Sequence, residues 1–156
     1  MNEWIQSGLT VPPMRMTVHV LRFEVGTFVV PLGRRSDGLY KYLDAMVRID
    51  GPTPVAIGAA VRNGMAQSVD GLDTDVPDFR KYRSFRATGA RSWRAFERGS
   101  QMVGVSSEPG KLIVAPYRKP KGGGQSAIRE IFLDDNLSDS ELGERVLAAF
   151  SEVEAG

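Results

Sequence analysis

Two basic stretches and one acidic stretch hold most of the side chains that could do chemistry in this sequence. In PYRKPKGGGQS (residues 116–126), the cations Arg118, Lys119 and Lys121 stand before three consecutive glycines. A Walker-type phosphate loop instead places its lysine after the glycines, at the start of a helix. The residues that follow here, AIREIFL, are typical of a strand. The stretch therefore predicts a flexible hairpin loop rather than a nucleotide site.

The second basic stretch, FRKYRSFRATGARSWRAFERG (residues 79–99), places seven cations among aromatic residues. Such a pattern suits single-stranded nucleic acid, because bases stack on rings while phosphates pair with cations. A simpler interpretation puts the rings in the core and leaves the arginines at the solvated rim, or paired with the acidic C-terminal segment. We favour the simpler interpretation. The aromatic residues are Phe79, Tyr82, Phe85, Trp93 and Phe96.

Residues that could support catalysis are few. The stretch DTDVPD offers Asp73, Asp75 and Asp78, but it lacks the glycine and the distal glutamate of a calcium loop, so we expect no metal. His19 is the single histidine; it lies opposite the apolar residues of a strand, and we expect it at the surface. The chain has no cysteine and no Gly-x-Ser-x-Gly motif. We therefore predict a protein that is not an enzyme, with no cofactor and no small-molecule substrate.

Composition is typical of one globular domain, residues 1–156, with 42% hydrophobic and 25% charged residues. The absence of cysteine suits a reducing compartment, and the N-terminal MNEWIQSGLTVPP lacks the features of a signal peptide. No apolar run is long enough to span a membrane. We expect a cytoplasmic protein without a membrane partner.

The net charge of +1 conceals an uneven distribution along the chain. Residues 79–129 carry twelve Lys and Arg and two acids, whereas residues 130–156 carry eight acids and one Arg. Either the basic segment is a binding face, or the two segments neutralise each other in the fold.

Helix signals occur at three places. In LSDSELGERVLAAFSEVEAG, Ser138 and Glu141 form a capping box before an apolar stripe. In TPVAIGAAVRNGMAQS, Thr53 caps the helix and a proline occupies the first helical position, where its missing N–H costs nothing. A short helix, SWRAFERG, is capped by Ser92.

The first two of these helices resemble each other at an offset of 85 residues, since Ile57-Gly58 corresponds to Leu142-Gly143. An early glycine lowers helix propensity, so its presence in both helices predicts close packing, which we expect to be against the sheet. The match predicts an internal duplication of residues about 14–68 and 92–153, joined by a polar connector at about 69–79.

Each half of the chain is expected to contain strands followed by a helix. The predicted class is α+β, a duplicated unit in which antiparallel sheets have helices packed on one face. MRMTVHV and LRFEV alternate in opposite phase, which predicts a bulge near Val20-Leu21. Further predicted strands are TFVVPL, LYKYLDAMVRI, QMVGVSS, KLIVAPYRK and IREIFL, with a turn at Glu108-Pro109-Gly110.

An ordered set of motifs extends over residues 92–150. It comprises a Ser-Trp-x-x-Phe helix, a Val-x-Val strand, a Val-x-Pro strand, a Gly-Gly loop and a final Glu-Leu-Gly helix. This set resembles the immunity proteins of contact-dependent growth inhibition systems, and the N-terminal half resembles them loosely. The matching residues are Ser92, Trp93, Phe96, Val103, Val105, Val114, Pro116, Gly122, Gly123, Glu141, Leu142, Gly143, Val146, Ala149 and Phe150.

The resemblance implies a cytoplasmic protein without catalysis. It would bind the toxic C-terminal domain of a surface-displayed effector, usually a nuclease, and block its active site or substrate surface. Immunity proteins against nucleases are often acidic, and the basic middle of this chain departs from that expectation. One explanation is that Arg118, Lys119 and Lys121 pair with carboxylates of a metal-dependent active site.

Three functions therefore stay open at this stage. The first is a toxin-neutralising module, the second is a single-stranded nucleic-acid-binding protein using residues 79–98, and the third is an enzyme of unknown type. For the first, anchors of tight interfaces are often Tyr, Trp or Arg. The predicted partner-binding residues are Tyr117, Arg118, Lys119, Lys121, Arg83 and Arg86.

Overall fold

One antiparallel sheet organises the molecule. The computed structural model describes residues 13–118 and 126–155 of the chain. Within them lie seven strands: β1 (Thr17–Phe23), β2 (Gly26–Arg34), β3 (Tyr40–Tyr42), β4 (Val47–Ile49), β5 (Gln101–Glu108), β6 (Lys111–Pro116) and β7 (Ile131–Asp134). Their order is β3-β2-β1-β5-β6-β7, and β4 pairs with the other end of β2.

Two long and two short helices complete the described fold, which confirms the predicted α+β class. They are α1 (Pro54–Ala66), α2 (Arg83–Ala87), α3 (Trp93–Gly99) and α4 (Asp139–Ala155), and a 3₁₀ turn (Phe79–Lys81) precedes α2. The long helices α1 and α4 pack side by side on one face of the sheet, over a core that includes Val18, Val20, Val103 and Val105.

The predicted helix caps are confirmed. The Thr53 hydroxyl accepts a hydrogen bond from the Ala56 N–H at 3.3 Å, before α1. The Ser138 hydroxyl accepts from the Glu141 N–H at 3.1 Å, and the Glu141 carboxylate accepts from the Ser138 N–H at 3.3 Å. Ser92 caps α3 in the same way. These bonds satisfy N–H groups that the first helical turn leaves without a backbone partner.

Strand β1 is buried on both of its faces. Val18 and Val20 point to the long helices, whereas Leu21 and Phe23 pack in a second cluster beneath the 3₁₀ turn, α2 and α3. The strand pairs residue by residue with β2 throughout its length and with β5 up to Arg22. The predicted bulge near Val20-Leu21 is therefore wrong. The apolar pattern changes phase because helices cover both sides there, not because a residue is inserted.

The predicted strand boundaries hold in part. The turn at Glu108-Pro109-Gly110 is confirmed, with Gly110 at φ 76°, in the left-handed region that glycine favours. The segment LYKYLDAMVRI is not one strand but two, because β3 and β4 pair with opposite ends of β2. Of the last predicted strand, IREIFL, only residues 131–133 lie in β7, which ends at Asp134. The glycines and lysines of the predicted hairpin loop, residues 119–125, lie outside the described residues.

The long helices touch through their backbones at their first turns. A Cβ placed on Gly58 would overlap the carbonyl group of Asp139, and a Cβ placed on Gly143 would overlap the carbonyl group of Pro54. The two glycines thus play reciprocal parts in one contact. Close packing at these glycines was predicted correctly, but the neighbour is the other helix and not the sheet. The reciprocity agrees with the internal duplication, which stays a prediction.

Replacing Gly58 or Gly143 by alanine is expected to lower the free energy of unfolding by at least about 1 kcal/mol, even though alanine favours a helix by about 1 kcal/mol. The obstacle is a backbone carbonyl, which cannot rotate away. Gly99→Ala is the matched control, because a Cβ there would lie 3.6 Å from the Phe23 ring, at ordinary contact distance. Urea denaturation measures all three variants. Equal stability of the three would contradict the close helix contact.

Candidate functional site

The second face of the sheet is only partly covered, and its open part is the candidate site. The 3₁₀ turn, α2 and α3 pack over the end near Phe23. His19 and Gly104, paired across β1 and β5, lie towards the other end of the same face. Two cavities of about 510 and 430 Å³ border this region. We call them together the His19 groove, because they share His19, Leu32 and Tyr40.

His19 lies between two tyrosine rings in the groove. Its Nδ1 is 2.7 Å from the Tyr42 hydroxyl, and its ring centroid is 5.3 Å from that of Tyr42 and 5.7 Å from that of Tyr117. Burial lowers the pKa of His19 to about 4 and raises the pKa of Tyr42. Both rings are therefore uncharged at pH 7. The prediction that His19 is a surface residue holds only in part, because the ring lines the groove but is half-buried between the two tyrosines.

Tyr117 is held against the sheet beside His19. A Cβ on Gly104 would lie 2.9 Å from the Tyr117 ring, so the ring occupies space that only glycine leaves open. The Tyr117 N–H donates to the Met102 carbonyl at 3.0 Å, which extends the pairing beyond Pro116. Burial raises the pKa of Tyr117, and the Glu130 carboxylate adds to this effect. The ring thus forms part of the groove and does not project from it.

An aromatic wall borders the groove on the side of α3. Trp93 stacks on Phe96 with ring centroids 4.9 Å apart and planes 12° apart. Phe96 is buried, whereas 40% of Trp93 is exposed. The Phe79 ring contacts the Tyr42 ring edge-on, with the ring centroids 4.9 Å apart. The wall is therefore anchored in the second core cluster and presents one aromatic surface to solvent. The charged residues beside it are Lys41, Asp78 and Arg80.

Arg80 links the groove to a neighbouring cavity that Arg86 and Arg91 also line. Arg80 pairs with Asp78 at 3.0 Å, and this hydrogen-bonded pair lowers the pKa of Asp78 and raises that of Arg80. Arg86 and Arg91 are exposed. Neither has a carboxylate at ion-pair distance in the part of the chain that the structure describes. This side of the molecule therefore carries exposed positive charge.

The predicted partner-binding residues occupy three different places. Tyr117 lies in the groove, and Arg83 and Arg86 are exposed on α2. Arg118 is exposed beyond β6, where its N–H donates to the Ser126 carbonyl at 2.9 Å. Lys119 and Lys121 lie outside the described residues. The cavity that Arg86 lines meets the His19 groove at Arg80, which lines both. A binding role for any of these residues stays a prediction.

The rings of the basic stretch are largely inside the protein, as the simpler interpretation predicts. Three of them are at most 6% exposed and cannot stack on bases: Phe79, Phe85 and Phe96. The acidic C-terminal helix pairs elsewhere, with Arg62 at Asp139 (3.1 Å) and with Arg129 at Glu152 (2.7 Å). Arg129 thus connects the basic segment with the acidic C-terminal helix.

Asp78 of the acidic stretch DTDVPD has partners within the protein. Asp78 caps the 3₁₀ turn through the Arg80 N–H at 2.9 Å and also pairs with the Arg80 side chain. Across residues 13–118 and 126–155, no group of three acidic or histidine side chains is placed to hold a metal ion.

No helix in residues 13–118 and 126–155 has the length and apolar character needed to cross a membrane.

Sequence reasoning did not identify two residues that shape the groove. Tyr42 was assigned to a strand without a role, although the alternation of Tyr40 and Tyr42 places both rings on one face. Gly104 interrupts the apolar run of β5, and an isolated glycine in a strand marks the close approach of another group. That signal was present in the sequence, but the identity of the approaching group, Tyr117, was not.

Comparison with known proteins gives the fold. No family model and no curated protein matches the sequence. A protein of unknown function from Neisseria meningitidis has a similar structure, with a TM-score of 0.66 and 18% identity over 92% of this chain and 99% of that chain. A chain of the CdiA-CT/CdiI toxin and immunity complex from Yersinia pseudotuberculosis is similar over 86% of this chain and 95% of its own, with a TM-score of 0.66 and 13% identity. At these identities the shared property is the fold.

The neutral state of His19 is expected to make the protein less stable as the pH falls from 7 towards 4. The unfolded imidazole takes up its proton near pH 6.5 and the folded one near 4, so between these values the unfolded state binds the extra proton. Stability from this group is full above pH 6.5 and is lost as the pH falls through this window. Urea denaturation should show the loss as at least about 1 kcal/mol between pH 7 and 4.5.

The His19→Gln variant provides the reference for this measurement, since the titration of the carboxylates is common to both proteins. The wild type should lose more stability than the variant over the same pH range. Parallel pH curves for the two proteins would show that His19 is not buried in its neutral form.

Proposed function

We propose that this protein binds and neutralises a cognate toxin domain and thereby protects the cell that makes both. The observation that carries the proposal is the fold, which extends over 86% of the chain and matches a chain of a toxin and immunity complex. The ordered motifs of residues 92–150 support the same function through their resemblance to immunity proteins of contact-dependent growth inhibition systems. Likeness of fold alone is an analogy, so the function is to be tested at the level of binding.

The proposed action is stoichiometric blocking in the cytoplasm, without catalysis and without a cofactor. Such a function needs one complementary surface with a few anchoring side chains, surrounded by polar groups that set partner choice. The His19 groove and the arginines near it have both kinds of group. The toxin domain is expected to be a nuclease, whose active site or substrate surface would be covered by this protein.

A co-expression experiment tests the proposed function. The coding region immediately upstream would be cloned and its C-terminal domain expressed alone in a host that lacks this protein. Growth should stop, and co-expression of this protein should restore it. The two proteins should also co-purify as a complex. A toxic domain that still kills in the presence of this protein, or the absence of toxicity, would overturn the proposal.

The cations near the predicted hairpin loop give a separate prediction. If they pair with carboxylates of a metal-dependent toxin site, reversing the charge of Arg118, Lys119 and Lys121 together should weaken toxin binding at least about tenfold, since charge pairs at interfaces contribute about 1.5 kcal/mol or more. Charge reversal of Arg145, exposed on α4, is the control. Unchanged affinity of the triple variant would place these three cations outside the interface.

A further inference from the structure

We propose that the His19 groove and the arginines beside it form the toxin-contacting surface, and that this surface receives an acidic segment of the toxin domain with one apolar side chain inserted in the groove. The inference rests on the proposed function and adds to it the location of the surface and the chemistry of the partner. The exposed arginines concerned, called the arginine cluster below, are Arg83, Arg86, Arg91 and Arg94.

The groove is suited to an apolar anchor. The larger of its cavities, about 510 Å³, has the apolar side chains of Leu32, Phe79 and Trp93 beside the neutral His19. The charged side chains that also line this cavity are Lys41, Asp78 and Arg80. An apolar group can enter without leaving an unpaired charge beneath it, because the imidazole and the Tyr42 hydroxyl are already bonded to each other at 2.7 Å. Polar groups that are satisfied within the protein do not oppose the entry of an apolar side chain.

Trp93 is the residue on this wall that is best placed to act as an anchor. It is 40% exposed, yet its ring is fixed by stacking on the buried Phe96 at 4.9 Å. A large ring that is ordered before binding loses little conformational entropy on association. Exposed Trp residues in such pockets are frequent energetic hot spots of interfaces. Trp93, held by Phe96 of the second core cluster, thus provides a rigid, apolar surface.

The charges beside the groove favour an acidic partner. Residues 79–98 contain seven cations and one carboxylate, Glu97. Within residues 13–118 and 126–155, no member of the arginine cluster has a carboxylate at ion-pair distance. Positive charge that is not neutralised within the protein attracts acidic surfaces, speeds their association and repels basic ones. The contacted part of the toxin is therefore acidic, and this protein does not act as a mimic of nucleic acid.

A protein fits this surface better than a nucleic acid does. Single-stranded nucleic acid needs a succession of exposed rings, whereas three of the five rings in residues 79–98 are buried. An acidic protein segment can instead place its carboxylates on the arginines and an apolar residue against Trp93.

Binding kinetics of two variants test the inference, with the upstream-encoded toxin domain of the co-expression experiment as the probe. Trp93→Ala should raise Kd at least about 30-fold, mainly through faster dissociation. The double variant Arg86→Glu with Arg91→Glu should slow association at least about tenfold at low salt. Both arginines are exposed, so the double variant tests the surface even if Trp93→Ala perturbs folding.

The controls lie on the helices that cover the other face of the sheet. Val55→Ala removes an exposed apolar side chain of α1, and Arg145→Glu reverses an exposed charge of α4. Both should bind within about twofold of the wild type. Denaturation midpoints of all variants would be measured at the same time, so that a loss of binding is separated from a loss of folding.

The outcomes separate this inference from the proposed function. If the wild type does not bind the domain, both fall. If the wild type binds but the groove and arginine variants behave as the controls do, toxin binding stands and the location is overturned. Faster association of the double variant would mean a basic partner and would also overturn the inference. So would binding of a labelled oligothymidine that weakens steeply with salt and is lost in the same variants, since it would assign the surface to nucleic acid.

Discussion

The burial of strand β1 on both faces is the constraint on which the rest of the structure depends. Val18 and Val20 must be covered by the long helices, and Leu21 and Phe23 must be covered by something else. A single layer of helices cannot satisfy both sets, so the chain has to supply a second layer on the opposite face. It does so with the segment between the two strand sets, which is why residues 79–99 combine core aromatics with surface arginines.

The second layer is short, and its shortness creates the groove. Helices α2 and α3 have five and seven residues, too few to extend over the whole face. They are held by a phenylalanine cluster at one end, and the face beyond them is left to His19, Gly104 and Tyr117. Among the described residues, no apolar helix covers that part of the face. The strands there carry the hydrogen-bonded pair His19 and Tyr42 and the glycine Gly104 instead of further valines. Strand β1 thus contributes Leu21 and Phe23 to the core and His19 to the groove.

Much of the fold follows from local sequence signals, whereas the site follows from tertiary contacts. The caps at Thr53 and Ser138 were predictable because a hydroxyl just before a helix accepts a hydrogen bond from the N–H three residues later, which has no backbone partner. The helix contact at Gly58 was predicted only as close packing, since a glycine shows that something approaches but not what approaches it. Likewise His19 alternates with valines, which predicts a solvent-facing side chain until the tyrosines of other segments are placed around it.

The distribution of charge gives the two faces different parts to play. On the helix face, two acids of α4 have local partners, since Asp139 pairs with Arg62 and Glu152 pairs with Arg129. The arginine cluster lies on the other side of the sheet, and the sheet separates it from those acids. Its charge is therefore available to an external partner. In the proposed complex, the groove would supply contact area, while the charge of the arginine cluster would select and orient the partner.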